Sequence, residues 1–137
     1  MNKLNVIGVD LAKNVIQISV LSPSNRELRN SALTRRKFAA FLAKQRPGLV
    51  AFEACATAHY WARTAQRQGH QVKIIPAKVV APFRQGHKTD ENDALAVAEA
   101  AKLNSSEIYN QWSSANRSTA ELITHEALRA ASDPIEN

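Results

Sequence analysis

Cysteine is nearly absent. Cys55 is the single thiol in 137 residues, which excludes an internal disulfide framework and removes the paired thiolates of the common structural zinc sites. No stretch approaches the roughly 18 consecutive apolar residues of a membrane-spanning helix. The N-terminal MNKLNVIGVD meets the charge of Asp10 before the apolar region of a signal peptide can form. The expectation is a soluble, cytoplasmic protein held together by packing. Glycine is missing where nucleotide-binding loops need it. No GxxxxGKS/T loop occurs, and Leu11-Ala-Lys-Asn14 offers no glycine to let backbone amides approach a phosphate. Both absences count against P-loop and actin-like nucleotide hydrolysis. No pair of histidines has metal-ligand spacing, and there is no internal repeat or low-complexity tract.

Hydrophobic residues make up 45% and charged residues 22%, close to globular averages, so the chain can bury a core of single-domain size. Eighteen Lys and Arg against 12 Asp and Glu give +6 and a pI near 9.8, a balance that favours polyanionic partners. The charge changes sign along the chain. Residues 1–106 hold 16 cations and 7 acids, whereas residues 107–137 hold 2 and 5, which puts a boundary near Ser105 and Ser106. This reading gives one folded domain over residues 1–103. Residues 104–137 become an atypical polar, acidic tail, disordered or helical in part around Thr119–Ala131.

Leu4–Val9 is a short β-branched run that reads as a buried strand ending at Asp10. Val15–Leu21 alternates, Ser22–Asn25 is a turn, and Arg26–Ala32 is a third strand, making an antiparallel meander. Thr34 can cap a helix carrying Phe38, Phe41 and Leu42, which stops before Pro47-Gly48. Leu49–Phe52 is a strand ending at Glu53, Thr57–Gln68 is a helix closed by Gly69, and Gln71–Ile75 is a strand before Pro76. A basic stretch with Lys78, Arg84, His87 and Lys88 follows, then a helix capped by Thr89 that runs from Asp90 to about Ala101.

The chemistry rests on four carboxylates. Asp10 and Glu53 each follow an apolar strand, so if those strands are adjacent and parallel their side chains meet at one edge of the sheet. Asp90 and Asp93 lie three apart, which on a helix puts both on one face. A cluster of like charges is strained by itself and becomes a coordination site with a hard cation such as Mg²⁺ or Mn²⁺. Two such ions can act on a phosphodiester. Asp90 also fits a helix-capping carboxylate and Asp93 a solvated helix position, and spacing alone leaves both readings open.

Gly8-Val-Asp-Leu-Ala-Lys13, Phe52-Glu-Ala-Cys55 with Ala58-His-Tyr-Trp61, Gly69-His70 before Val72–Pro76, and Lys88-Thr-Asp-Glu-Asn-Asp-Ala94 occur in that order. Together, over residues 1–103, they resemble the N-terminal domain of DEDD-type insertion-sequence transposases, a family of bridge-RNA-guided recombinases. The resemblance implies an α/β, RNase H-like (RuvC-like) mixed sheet: a three-strand antiparallel meander followed by alternating helices and parallel strands. It implies that Asp10, Glu53, Asp90 and Asp93 bind Mg²⁺, with Mn²⁺ as substitute, and act on DNA phosphodiesters in transposition and recombination. It further implies a structured guide RNA and assembly as a dimer or larger homo-oligomer. Family members also carry a C-terminal domain with a serine nucleophile, for which this chain has no room. The resemblance therefore implies a truncated or frameshifted element, and Ser105, Ser106, Ser113 and Ser114 match no nucleophile motif.

Lys13, Lys78, Arg84 and Lys88 are the candidate nucleic-acid contacts. Lys13 follows Asp10, and the Arg84–Lys88 stretch precedes Asp90, so both bracket the carboxylates with positive charge. Arg35-Arg-Lys37 reads as a solubilising surface. Tyr60 and Trp61 read as core residues, with stacking on a base as the competing role. His70 reads as a loop residue and Cys55 as a small buried hydrophobe. Two function classes follow. One is a transposase-type enzyme. The other is a catalytically incomplete module that binds DNA or RNA or assembles with transposase subunits. Metal-dependent strand cleavage separates them.

Overall fold

The computed structural model describes residues 4–12, 14–86 and 89–115. Strand β1 (Val6–Leu11) is central. It pairs antiparallel with β2 (Ile16–Leu21), which pairs antiparallel with β3 (Glu27–Leu33). On its other side β1 pairs parallel with β4 (Leu49–Glu53), and β4 with β5 (Gln71–Ile75), giving the order β3-β2-β1-β4-β5. The expected meander and parallel strands are therefore present. One difference is that Asp10 and Leu11 still belong to β1, because they pair with Gln17 and Ile16.

Helices cover both faces, and the strands sort their side chains between them. Ile7 and Val9 of β1, Val50 and Phe52 of β4, and Val72 and Ile74 of β5 join one core with α1 (Arg35–Lys44) and α2 (Ala58–Arg67). Both faces of the central strands are apolar, as buried parallel strands require. Phe38, Phe41 and Leu42 of α1 and Trp61, Ala62 and Ala65 of α2 close that layer. Thr34 caps α1 by accepting from the Lys37 backbone N–H at 3.2 Å. Gly69, at φ +94°, ends α2 in the left-handed region that a glycine adopts without strain.

Val6, Leu49, Ala51 and Ile75 point to the opposite face. They form a second core with α3 (Ala77–Val80), α4 (Asp90–Ala100) and α5 (Ser105–Ala115). A 3₁₀ turn over Ala81–Phe83 follows α3. Neither α3 nor α5 was expected from the sequence. In α5, Ile108 and Trp112 lie one turn apart and are buried in this core, so packing continues past the charge boundary near residue 105. The suggested helix at Thr119–Ala131 lies outside the described residues. Lys73 on β5 donates to the carbonyls of Ala101 and Leu103 at 3.0 and 2.8 Å, fixing the end of α4 with a cation where the helix dipole favours one. Among the described residues no helix is long and apolar enough to cross a membrane.

Candidate metal centre

The register of β1 and β4 decides where two carboxylates go. Val9 pairs with Phe52 in parallel, so Asp10 and Glu53, one residue further on, stand side by side at the C-terminal edge of the sheet. Strand alternation turns both toward the α4 face, since Ile7, Val9, Val50 and Phe52 occupy the α1–α2 core.

Helix α4 brings the other two. Thr89 caps it by accepting from the Asn92 backbone N–H at 3.2 Å, and Asp93 N–H donates to the Thr89 carbonyl at 2.8 Å. The helix lies against β1 at Gly8. A Cβ there would collide with the Ala94 carbonyl oxygen and the Ala98 backbone nitrogen, and would sit 2.7 Å from the Ala98 Cβ. Gly8 and the alanines of α4 thus permit the approach that carries Asp90 and Asp93 to Asp10. The edge strand assists, because Asn30 Nδ2 donates to the Glu91 carbonyl at 3.1 Å.

Asp10, Asp90 and Asp93 each present a carboxylate oxygen, and these oxygens lie within 4.8 Å of one another. Asp93 is buried, Asp10 half-buried and Asp90 exposed. Glu53 stands outside this trio and is tied to it by Arg84. The Arg84 Nε donates to Asp93 Oδ1 at 2.6 Å, and Nη2 pairs with Glu53 Oε2 at 3.2 Å. Among the described residues one cation, Arg84, thus faces four acids. Burial, then the charges of Asp93, Asp90 and Glu53, push the Asp10 carboxyl up to about 6, and Arg84 offsets only part of this. Burial alone would lower the Arg84 pKa, but its bond to Asp93 and the Glu53 charge raise it above the ordinary arginine value. An all-oxygen donor set with excess negative charge suits a hard divalent cation.

The structure brings Asp10, Glu53, Asp90 and Asp93 to one edge. It treats the expected nucleic-acid contacts differently. Arg84 faces the carboxylates, Lys78 is exposed on α3, and Lys13 and Lys88 lie outside the described residues. Three smaller expectations change. Cys55 is exposed, because it falls in the loop between β4 and α2. Tyr60 is exposed, while Trp61 packs edge-on to Phe38 at 4.8 Å between centroids. His70 is buried and joins two segments: its Nδ1 accepts from Gly48 N–H at 3.1 Å, and its Nε2 lies 2.8 Å from the Leu42 carbonyl. Sequence reasoning missed the Arg84 bridge, which spans 31 positions to Glu53 and carries no local signal. It also missed the start of α5, for which a signal exists. Asn104 and Glu107 exchange side chain-to-backbone hydrogen bonds at 2.9 Å, a reciprocal cap written as Asn-Ser-Ser-Glu.

Comparison with known proteins follows the same lines. A family model for IS110-type DEDD proteins, described as transposase, matches residues 7–131. The chain is 41% identical over 98 residues to a probable family 20 transposase of Pseudomonas aeruginosa, covering 72% of this chain and 29% of that protein. It is 39% identical over 100 residues to the transposase for insertion sequence element IS1328 of Yersinia enterocolitica, covering 73% and 30%. The chain thus spans under a third of the length of these curated relatives. Among solved structures, Thermus thermophilus RuvC superposes with a TM-score of 0.57 at 13% identity, over 80% of this chain and 96% of that one. RuvC from the same organism in complex with a Holliday junction substrate gives 0.52 at 12%, over 82% and 96%. At these identities the likeness concerns the fold, which is RuvC-like.

Proposed function

The chain belongs to the IS110-type DEDD transposase family, and from that premise we propose that it serves DNA transposition and recombination through a Mg²⁺-dependent site formed by Asp10, Glu53, Asp90 and Asp93. The observation that carries this reading is the convergence of Asp10, Asp90 and Asp93 within 4.8 Å beside the parallel β1–β4 pair. Those three would hold the ion, with Mn²⁺ as substitute, and Glu53 would complete the set. A divalent ion bound there supplies stabilisation of charge developing on phosphodiester oxygens. The Asp10 carboxyl, pushed up to about 6 by burial and by the neighbouring carboxylates, would be relieved by a bound cation. Arg84 pairs with Glu53 and Asp93, and among the described residues its Nη1 makes no hydrogen bond, leaving donors for a phosphate oxygen. Lys78, with Lys13 and Lys88, would contact the DNA backbone. A cytoplasmic location, a homo-oligomeric assembly and a structured RNA partner belong to the same reading and rest on the family alone.

A second reading has one observation in its favour. Arg84 already bridges two of the four carboxylates, as in a module that binds nucleic acid or assembles with transposase subunits without cleaving. Thermal unfolding against Mg²⁺ and Mn²⁺ tests the first reading directly, because a ligand bound only to the folded state stabilises it by RT ln(1 + [L]/Kd). The wild type is expected to gain stability, and Asp10→Asn and Asp93→Asn to lose that response. Cleavage of branched or duplex DNA by the ion-loaded chain then supports the enzyme. Ion binding without cleavage selects the module, and absence of any ion response removes the site.

A further inference from the structure

Between Glu27 and Asp90 the sequence contains one acidic residue, Glu53, and Glu53 points to the α4 face of the sheet. Among the described residues, the two helices that cover the opposite face contain no acid. Helices α1 and α2 carry Arg35, Arg36, Lys37, Lys44, Arg63 and Arg67, all exposed, and no carboxylate. Solubility does not require this arrangement, since mixed charges solubilise a surface with less self-repulsion. Nor does helix stability. Arg35, Arg36 and Lys37 occupy the first turn of α1, where the helix dipole disfavours cations, and that turn contains no acidic residue.

The surface is also shaped. A cavity of about 470 Å³ lies between the two helices, lined by Arg35, Arg36, Thr57, Tyr60 and Trp61. Tyr60 exposes 56% of its surface there. On the other flank of α1, Arg29, Lys37 and Lys44 line a second cavity of about 380 Å³. Topology fixes where the first cavity opens. Leu33 pairs with Ile16, and Ile16 with Leu11, so α1 starts at the sheet edge that bears Asp10. Helix α2 starts there too, after β4. The cationic face and the carboxylates therefore share one edge but lie on opposite faces.

We propose that the α1–α2 face is a second DNA-binding surface, which holds the phosphate backbone of a duplex segment separate from the one presented to the carboxylates. Charge complementarity commits it to a polyanion, and the repeated cations along α1 suit a regular phosphate backbone better than a single anion. The inference rests on the reading that this chain acts on DNA.

Fluorescence anisotropy of the full chain with a labelled 20-bp duplex in EDTA tests it, with ion-dependent contacts removed. Arg35→Gln/Arg36→Gln is compared with Arg26→Gln/Lys102→Gln, which removes the same charge from exposed sites outside the two helices. Melting curves establish that both variants fold. The α1 variant is expected to bind at least tenfold more weakly at low salt, with a log K–log salt slope shallower by about 1.8 for two lost phosphate contacts. The control is expected to change by less than threefold. Equal losses in the two double variants would overturn the inference while leaving DNA binding intact. A wild type that binds no duplex overturns both the inference and the reading beneath it. A hairpin RNA that displaces the duplex at lower concentration than unlabelled duplex does would give the face to RNA and overturn the assignment to DNA.

Discussion

The two helical layers differ in what packs their cores and in the charge of their surfaces. The α1–α2 layer is packed with aromatic rings, Phe38, Phe41 and Trp61, and the charged residues of its two helices are all cations. The α4 layer is packed with alanines beneath Asp90, Glu91, Asp93 and Glu99, with no cation on α4 at all. Large side chains hold a helix away from a sheet, whereas alanines opposite Gly8 let its backbone come close. The difference teaches that the site layer is built for proximity of charged groups and the other layer for bulk stability. Like charges that repel one another are tolerated where a ligand of opposite sign is expected, divalent cations on one face and phosphates on the other.

The comparison breaks first where bulk is removed. Phe38→Ala empties a fully buried ring site and is expected to cost about 3–5 kcal/mol in urea unfolding. Folded variant should still respond to Mg²⁺, because the cavity lies on the face without carboxylates. Loss of the ion response in molecules shown to be folded would join the two layers into one unit. Gly8→Ala should behave in the opposite way. Its Cβ meets α4 backbone that cannot rotate away, so about 3 kcal/mol is expected to be lost, and the ion response should weaken beyond what stability explains. An unchanged ion affinity would mean that the close approach does not set the site.

Charge variants sharpen the contrast at smaller cost. Arg84→Ala removes the cation that, among the described residues, pairs with Glu53 and Asp93. Divalent-ion affinity by calorimetry is expected to rise by about tenfold, roughly 1.4 kcal/mol, while the ion-free chain loses stability. Weaker ion binding instead would show that Arg84 positions the carboxylates rather than competing for them.

The smallest effect is a pH dependence. The Asp10 carboxyl is pushed up to about 6 in the folded chain from about 4 when unfolded, so between those values the folded state holds the extra proton. Its contribution therefore destabilises progressively as pH rises from about 4 to 6 and stays in full above that. In EDTA, Asp10→Asn should melt a few degrees above the wild type at pH 7, with the gap closing toward pH 4. A gap of constant size from pH 4 to 7 would contradict the raised carboxyl.

Much of this was legible because it is local. The strand boundaries around Gln71–Ile75, the Thr34 and Thr89 caps, and the placement of Asp10 and Glu53 after apolar runs follow from neighbours within a few residues. Helix α3 was not legible, since four residues between Pro76 and Pro82 show no periodicity. The burial of Ile108 and Trp112 was readable as an i, i+4 pair but was masked by the polar composition around it.

What the sequence determined by itself, then, is the five strands with α1, α2 and α4, the family motifs and the four carboxylates that end or open those elements. Tertiary structure alone decided that β1 and β4 pair in the register that sets Asp10 beside Glu53, that Gly8 admits α4, and that Arg84 spans to Glu53 across 31 positions. It also decided that every cation of α1 and α2 lies on the face away from the acids. Hydrogen bonds and periodicity act over one or two turns of chain, but charges interact through space, and only the folded sheet fixes which of them are near.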